Sequence, residues 1–442
     1  MDMLNGSLFK KILIFALPLA LSSILQQLFN CVDLAVVGQY ATSQDQAAVG
    51  CNSSLINLLI NLFVGISIGT NVVIAKYLGQ KQKDKVKDAV HTSIVVALIS
   101  GLVLLFLGLV IARPILTIMK TPKDTLDLAI LYLRIYFVGM PFVMLYNFGA
   151  AILRSIGDTK RPLYCLIIAG VLNAVLNMIL VIVFHMGVAG VAIATVVANG
   201  VSAFMVIYML FHEEEPIRLS LKGLTIVKPE LVRILKIGIP AGIQGMVFSF
   251  TNVFVQSALN GFGSDAVAGS AVALNYEYIT YFVINAFNQA AVTFISQNYG
   301  AEKHKRCKQT YWLCMMSSVL ITGLMCLVFV SNAHFFASLF TSKEEVIHYA
   351  VIRMGQILTL YFIANFYEIS GSALRGLGYS MTPAMLTIVG ICAFRLFWIY
   401  RIFSQNKSFE LLLNVYPISW VITGVAVLTA YFLVNRRQYK VS

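Results

Sequence analysis

Ser22, Gln26, Asn30 and Asp33 follow one another at intervals of 4, 4 and 3 in an otherwise apolar run. That spacing puts three polar groups and a carboxyl on one helix face. A carboxyl in low-dielectric surroundings holds its proton more tightly, so Asp33 is a candidate proton carrier. Its counterpart in the second half of the chain is apolar Val255 with Gln256 beside it, so fold maintenance explains Asp33 poorly. Further polar faces are Ser249, Asn252, Gln256 and Asn260, at intervals of 3, 4 and 4; Ser54, Asn57, Asn61 and Gly65; and Tyr278, Asn285, Gln289 and Ser296. Single amides in apolar helices serve as interhelical glue worth about 1 kcal/mol each. Four such faces at matching places in both halves predict the lining of a water-filled cavity.

The remaining polar residues are more scattered. Asn173 and Asn177 are four apart and share a face, and Tyr136 can offer a hydroxyl to the same cavity. Glu277 is expected near mid-membrane, either supplying negative charge to a cation site or pairing with a basic group. Glu368, seven residues before Arg375, suits a gate or an interfacial carboxylate. Arg395 lies deep in an apolar run and needs a partner, with Glu277 and Glu368 as candidates, or a water-filled pocket. Arg134 and Arg353 are expected to snorkel to the membrane surface. The aromatic residues Tyr276, Tyr278, Tyr281, Phe282 and Phe287 can stack on flat cations, although such residues more often pack. Histidines fall near run ends, and the seven cysteines form no CxxC pair, so free thiols and no metal site are expected.

The elements that must carry these residues are membrane helices. Hydrophobic residues make up 59% of the 442 and charged ones 12%, far below the charge of a soluble globule. Twelve runs can each cross about 30 Å of hydrocarbon. They are 11–38, 48–76, 90–118, 127–153, 160–184, 187–211, 234–260, 266–298, 309–340, 346–373, 380–403 and 410–434. The chain also repeats itself: KILIFALP up to Pro18 matches RILKIGIP up to Pro240, and Arg154-Ser-Ile-Gly157 with Pro162 matches Arg375-Gly-Leu-Gly378 with Pro383. These landmarks lie 221 or 222 residues apart, as in duplicated transporters. The expected fold is an all-α polytopic membrane protein, with two six-helix repeats forming N- and C-lobes around a central cavity. The lobes are residues 1–211 and 233–442, joined by a crossover at 212–232 that lets them move separately.

The net charge of +13 does not point to nucleic acid, because the basic residues sit in short links between apolar runs. Of the 32 Lys and Arg, 23 fall at the termini and in the even-numbered links, six in the odd-numbered links and three within runs. The positive-inside rule then places both termini in the cytoplasm. The first run exceeds a signal-peptide core and lacks a convincing cleavage site, so it is expected to stay. Pro18 and Pro240 should kink helices 1 and 7, making them candidate switch elements.

The order and duplication of these motifs resemble the multidrug and toxic compound extrusion (MATE) family of cation-coupled exporters. The residues that carry the resemblance are Leu17-Pro18, Asp33-Leu-Ala-Val-Val-Gly38, Gly79, Gly300, Leu153-Arg154-Ser-Ile-Gly157, Gly187-Val-Ala-Gly190-Val-Ala-Ile-Ala-Thr195 and Ala373-Leu374-Arg375-Gly-Leu-Gly378. The resemblance implies that Asp33 binds the coupling cation and that Asn173 and Asn177 complete its site. Some members carry Asp where this chain has Asn177. The NorM-like branch has acidic residues on helices 7 and 10, whereas helix 7 here has none and Ala364 stands near the helix 10 position. The chain is therefore more similar to the DinF-like branch, with proton coupling favoured and sodium open. The implied activity is plasma-membrane antiport of amphiphilic, mostly cationic organic compounds; no cofactor is expected, and since nothing in the chain demands a partner a monomer is the default. In that cycle deprotonated Asp33 favours substrate binding, protonation repacks helix 1 and releases the substrate outward, and the lobes rock back. Two other classes compete. A lipid-linked oligosaccharide flippase needs several cavity-facing cations, for which Arg395 is the one candidate. A membrane-embedded enzyme needs acids or histidines clustered at one depth, and Asp33, Glu277 and Glu368 are scattered.

Overall fold

The computed structural model describes residues 1–118, 121 and 123–438, and every regular element among them is helical. Twelve spans follow in order: α1 (Leu8–Tyr40), α2 (Ser43–Gly79), α3 (Lys83–Ile118), α4 (Asp124–Val138 with Met140–Ser155), α5 (Lys160–Val183), α6 (Gly187–Phe211), α7 (Lys228–Asn260), α8 (Ser264–Gly300), α9 (His304–Ser331), α10 (Glu344–Gly376), α11 (Met381–Phe403) and α12 (Phe409–Arg437). Eleven are continuous and apolar enough to cross a membrane, and α4 is a pair bent by 45°. Apolar side chains also remain exposed on helix faces; Leu320, Leu324 and Leu327 form such a stripe on α9. Lipid tails solvate a stripe of this kind, and a helix satisfies its own backbone there.

Helix ends and breaks have local causes. Thr42 caps α2 through a reciprocal box: its hydroxyl accepts from Asp45 N, and the Asp45 carboxylate accepts from Thr42 N. Asp45 also accepts from Val188 N at 3.2 Å, at the start of α6. Gly187 lies there with φ +53°, and a Cβ would stand 3.0 Å from the same carboxylate. The α4 bend falls at Gly139, just before Met140-Pro141, because proline lacks an N–H and crowds the preceding turn. α10 carries a 3₁₀ turn at Tyr361–Ile363, at the matching place in the second repeat. The predicted run 309–340 ends early: α9 stops at Ser331 and a short helix, Ala333–Ser338, follows.

The chain forms two compact units. One comprises Met1–Asp2 and Leu21–Gly242; the other comprises Met3–Ala20 and Ile243–Ser442. The unit boundary therefore falls inside α1, two residues after Pro18, and inside α7, two residues after Pro240. Both prolines lie within helices that run on past them.

In the first unit α2 and the start of α7 meet backbone to backbone. A Cβ on Gly65 would fall 2.2 Å from Gly242 Cα, and one on Gly242 would fall 2.2 Å from the Leu62 carbonyl oxygen. Small residues permit this approach, as in membrane helix pairs generally. The link between α6 and α7 is tied to α3 in the same unit. His91 Nε2 accepts from Ser220 N at 3.1 Å, and Thr92 Oγ1 accepts from Val227 N at 3.1 Å. Close by, buried Glu230 accepts from Tyr77 Oη at 2.7 Å and from Arg233 at 2.8 Å.

In the second unit a buried apolar cluster centres on α8, α10 and α12, with Phe15 of α1 edge-on to Phe294 at 5.5 Å. Within it Asn365 (α10) bridges Ser318 at 2.5 Å and Thr322 at 3.0 Å on α9.

Candidate coupling-ion and substrate sites

The carboxyl of α1 meets the amides of α5 within the first unit. Asn177 Nδ2 donates to Asp33 Oδ1. Asn177 is fully buried, and its Oδ1 has no donor among the described residues. One end of the Asn173 amide lies 2.7 Å from Asp33 Oδ1 and 3.2 Å from Asn177 Nδ2, and the other lies 3.3 Å from Thr195 Oγ1 on α6. Turned with its nitrogen toward Asp33, Asn173 donates to an ionised carboxylate. The amide nitrogens of Asn173 and Asn177 thus converge on one oxygen of Asp33.

Other elements close around these residues. Phe29 of α1 lies against Gly170 of α5, where a Cβ would fall 1.7 Å from the ring, so a side chain there would push α1 away. Immediately after Asn177 the helix loosens into a π-helical stretch, Met178–Val183, a form that recurs at functional sites. Tyr132 and Tyr136 of α4 stack at 5.9 Å, and both interact electrostatically with Asp33. Tyr132 escaped the sequence reading, and Thr195 entered it only as the end of a family motif, because each is one polar residue in an apolar run, without periodicity to mark it.

The remaining predicted residues of the first unit are Gln26 and Asn30, exposed on α1, and Asn61, half-buried on α2. Asn57 also falls in α2, but its side chain lies outside the described residues.

In the second unit Ser249, Asn252 and Gln256 are half-buried on α7, and Gln256 donates to Asn260 at 2.9 Å. Asn285 and Gln289 are half-buried on α8. Tyr278 stacks on Phe282 at 6.4 Å. Tyr276 and Phe287, by contrast, are buried; Tyr276 packs on Phe329 and Phe336 and donates to the Phe336 carbonyl at 2.8 Å, so it is core.

The charged residues of this unit correct two expectations. Arg353 does not snorkel: it is 2% exposed and grips Glu277 through Nε to Oε1 at 2.7 Å and an Nη to Oε2 at 3.1 Å. A carboxylate one helix away outweighs the pull of the interface. Glu277 is therefore half of an ion pair. Arg395 pairs with neither Glu277 nor Glu368. It reaches Asn252 Oδ1 at 3.1 Å and Ser419 at 3.4 Å, and lies over the rings of Tyr416 (4.5 Å) and Phe248 (5.3 Å). Glu368 accepts from Asn288 at 2.6 Å and feels the charge of Arg375, which itself donates to Gln244 at 2.6 Å. Among the described residues no group of three or more His, Cys, Asp or Glu could hold a metal ion.

A duplicated helical chain with its halves in register matches one family model twice: MatE, over residues 18–179 and again over 240–400. The chain belongs to the MatE family. It is a multi-pass membrane transporter of a multidrug efflux family, not an enzyme. It is similar to "Probable multidrug resistance protein YoeA" of Bacillus subtilis, 28% identical over 87% of this chain and 85% of that one. It is similar also to "Multidrug export protein MepA" of Staphylococcus saprophyticus, 24% identical over 87% and 85%. A crystal structure of a MATE transporter in the bent conformation superposes with a TM-score of 0.89 at 22% identity, covering 99% of this chain and 97% of that one. The MatE matches begin at Pro18 and Pro240, the landmarks of the internal repeat, and the first ends two residues past Asn177.

Proposed function

We propose that this MatE transporter is a cation-coupled antiporter that exports amphiphilic, mostly cationic organic compounds by alternating access, with the proton as coupling ion. The observation that carries the reading is the Asp33 site, where Asn177 donates to the carboxyl and the Asn173 amide lies 2.7 Å from the same oxygen. A carboxyl with such amide donors keeps its charge paired when ionised, and in apolar surroundings it can also take up a proton. Binding and release of the proton then bias two conformations, and the substrate, by binding one of them better, is exchanged for the proton. The polar faces of α1 and α2, and of α7 and α8, supply the substrate-binding surfaces, each on its own unit. The protein works as a monomer in the plasma membrane with both termini in the cytoplasm, as the distribution of Lys and Arg supports. The residues opposite a NorM-like C-lobe sodium site are Ala364 and the stretch 234–260 of α7, which carries no acid, and this favours the DinF-like branch.

The test is efflux of a cationic fluorescent dye from proteoliposomes under an imposed proton or sodium gradient, comparing wild type with Asp33→Asn. Proton-driven efflux lost in the variant is the expected result. Sodium-driven efflux overturns the ion assignment and keeps the exporter. Proton-driven efflux that survives in Asp33→Asn removes Asp33 from coupling.

A further inference from the structure

Three arginines are buried in the second unit, and they differ in what neutralises them. Arg353 has the Glu277 carboxylate at 2.7 Å. Arg375 has Glu368 close enough to act on its charge. Arg395, 1% exposed, has no carboxylate within ion-pair distance among the described residues. Its hydrogen bonds use Nε, to Ser419, and Nη1, to Asn252. Stacking on Tyr416 and Phe248 offsets part of the cost of burying a cation, and two neutral oxygens offset part of the remainder. A guanidinium has five N–H groups in a planar fork that fits an oxyanion in bidentate fashion, and this fork is only partly used.

The internal repeat gives the placement meaning. The α1 and α7 landmarks lie 222 apart, which carries Asn30 to Asn252, and the α5 and α11 landmarks lie 221 apart, which carries Asn173 to Phe394, next to Arg395. The α1–α5 contact that holds a carboxyl in the first unit therefore recurs as an α7–α11 contact that holds a guanidinium in the second. Arg395 also stands between two π-helical stretches, Ile388–Ala393 and Trp398–Phe403, and the latter matches the stretch that follows Asn177 on α5. Asn252 is half-buried on the polar face shared with Ser249 and Gln256, so the guanidinium reaches the substrate-binding face of α7 through its own hydrogen-bond partner.

We infer that Arg395, with Asn252, is an anion half-site that recognises a carboxylate or similar oxyanion on the transported amphiphile. The inference rests on the export reading and narrows its substrate class to aromatic amphiphiles that carry an anionic group beside the cationic one. The oxyanion takes the free edge of the guanidinium, Asn252 Nδ2 donates to it, and the Tyr416 ring backs the guanidinium. A small free anion shares this chemistry, so the experiment includes it.

The matched probes are rhodamine 110, which has a free carboxyl, and rhodamine 123, its methyl ester. Binding of each to the purified full-length protein is read by fluorescence anisotropy, without any gradient. The expected result is tighter binding of rhodamine 110 by wild type, and a collapse of the rhodamine 123 to rhodamine 110 Kd ratio by at least about ten-fold in Arg395→Gln. Should Arg395→Gln fail to fold, Asn252→Asp provides the same test, because it places a carboxylate where an oxygen already lies 3.1 Å from the guanidinium and should collapse the ratio in a folded protein. Titrating inorganic phosphate against rhodamine 110 identifies the source: displacement of the dye in wild type but not in Asn252→Asp shows that the dye carboxylate uses the site, whereas phosphate that raises the thermal midpoint of wild type but not of Asn252→Asp without displacing the dye assigns the site to a free anion and overturns the substrate claim. A ratio that does not change in either variant, or wild type that does not prefer the carboxyl dye, overturns the half-site. Because binding is read without transport, export of rhodamine 123 by wild-type vesicles tells whether the exporter reading stands when the half-site fails.

Discussion

Glu277 on α8 and Arg353 on α10 form a two-point ion pair, 2.7 and 3.1 Å, with side chains 7% and 3% exposed. Arg353 also lies over the Tyr416 ring at 5.5 Å, so the pair ties three helices of the second unit together. Removing one partner of such a pair leaves a buried charge and costs about 3–5 kcal/mol, whereas replacing both with apolar groups is often close to neutral. Arg353→Met should therefore unfold at a clearly lower temperature in detergent. The double variant Glu277→Leu, Arg353→Met should recover most of the loss. A single variant as stable as wild type would remove the pair from the structural account.

The α2–α7 crossing predicts a contrast between glycines. Gly242→Val meets the Leu62 carbonyl at 2.2 Å and cannot fit without moving a helix, at a cost of about 1–3 kcal/mol or more. At Gly323 nothing lies within 4 Å of an added Cβ, so Gly323→Ala should be neutral or stabilising by up to about 1 kcal/mol. Thermal unfolding of the two variants side by side checks the difference.

The link between α6 and α7 is held by Thr92, whose hydroxyl accepts from Val227 N and donates to the Thr225 carbonyl. Thr92→Val leaves those backbone groups without their partner, at about 1 kcal/mol. Local opening should become about five-fold more frequent, and limited trypsin cleavage at Arg218 or Lys222 should accelerate by the same factor. Unchanged cleavage would show that other contacts hold the segment.

Asn177→Ala deletes the amide that donates to Asp33. A hydrogen bond to a charged group is worth about 1.5–3 kcal/mol, so proton-driven dye export should fall by about ten-fold or more. The thermal midpoint should move less than in Arg353→Met, since no charge is orphaned. Full export by Asn177→Ala would confine α5 to a structural role.

Hydropathy exposes the span count in one dimension, because lipid admits only helices that satisfy their own backbone. The repeat is legible for a related reason: Pro18 and Pro240, or Arg154 and Arg375, keep their spacing whatever packs around them. The likeness of Asp33, Asn173 and Asn177 to a family site is likewise readable from the chain, and the fold brings the three together. Partner choice is not legible in this way. Arg353 and Arg395 look alike in sequence, as cations in apolar runs, yet one meets Glu277 and the other meets Asn252 and two rings. The same holds for the passage of α1 and α7 between units beside their prolines, and for the meeting of Gly65 with Gly242. Local spacing sets which face of a helix a residue occupies; which charge or backbone lies opposite depends on how helices remote in sequence pack, and no periodicity records that.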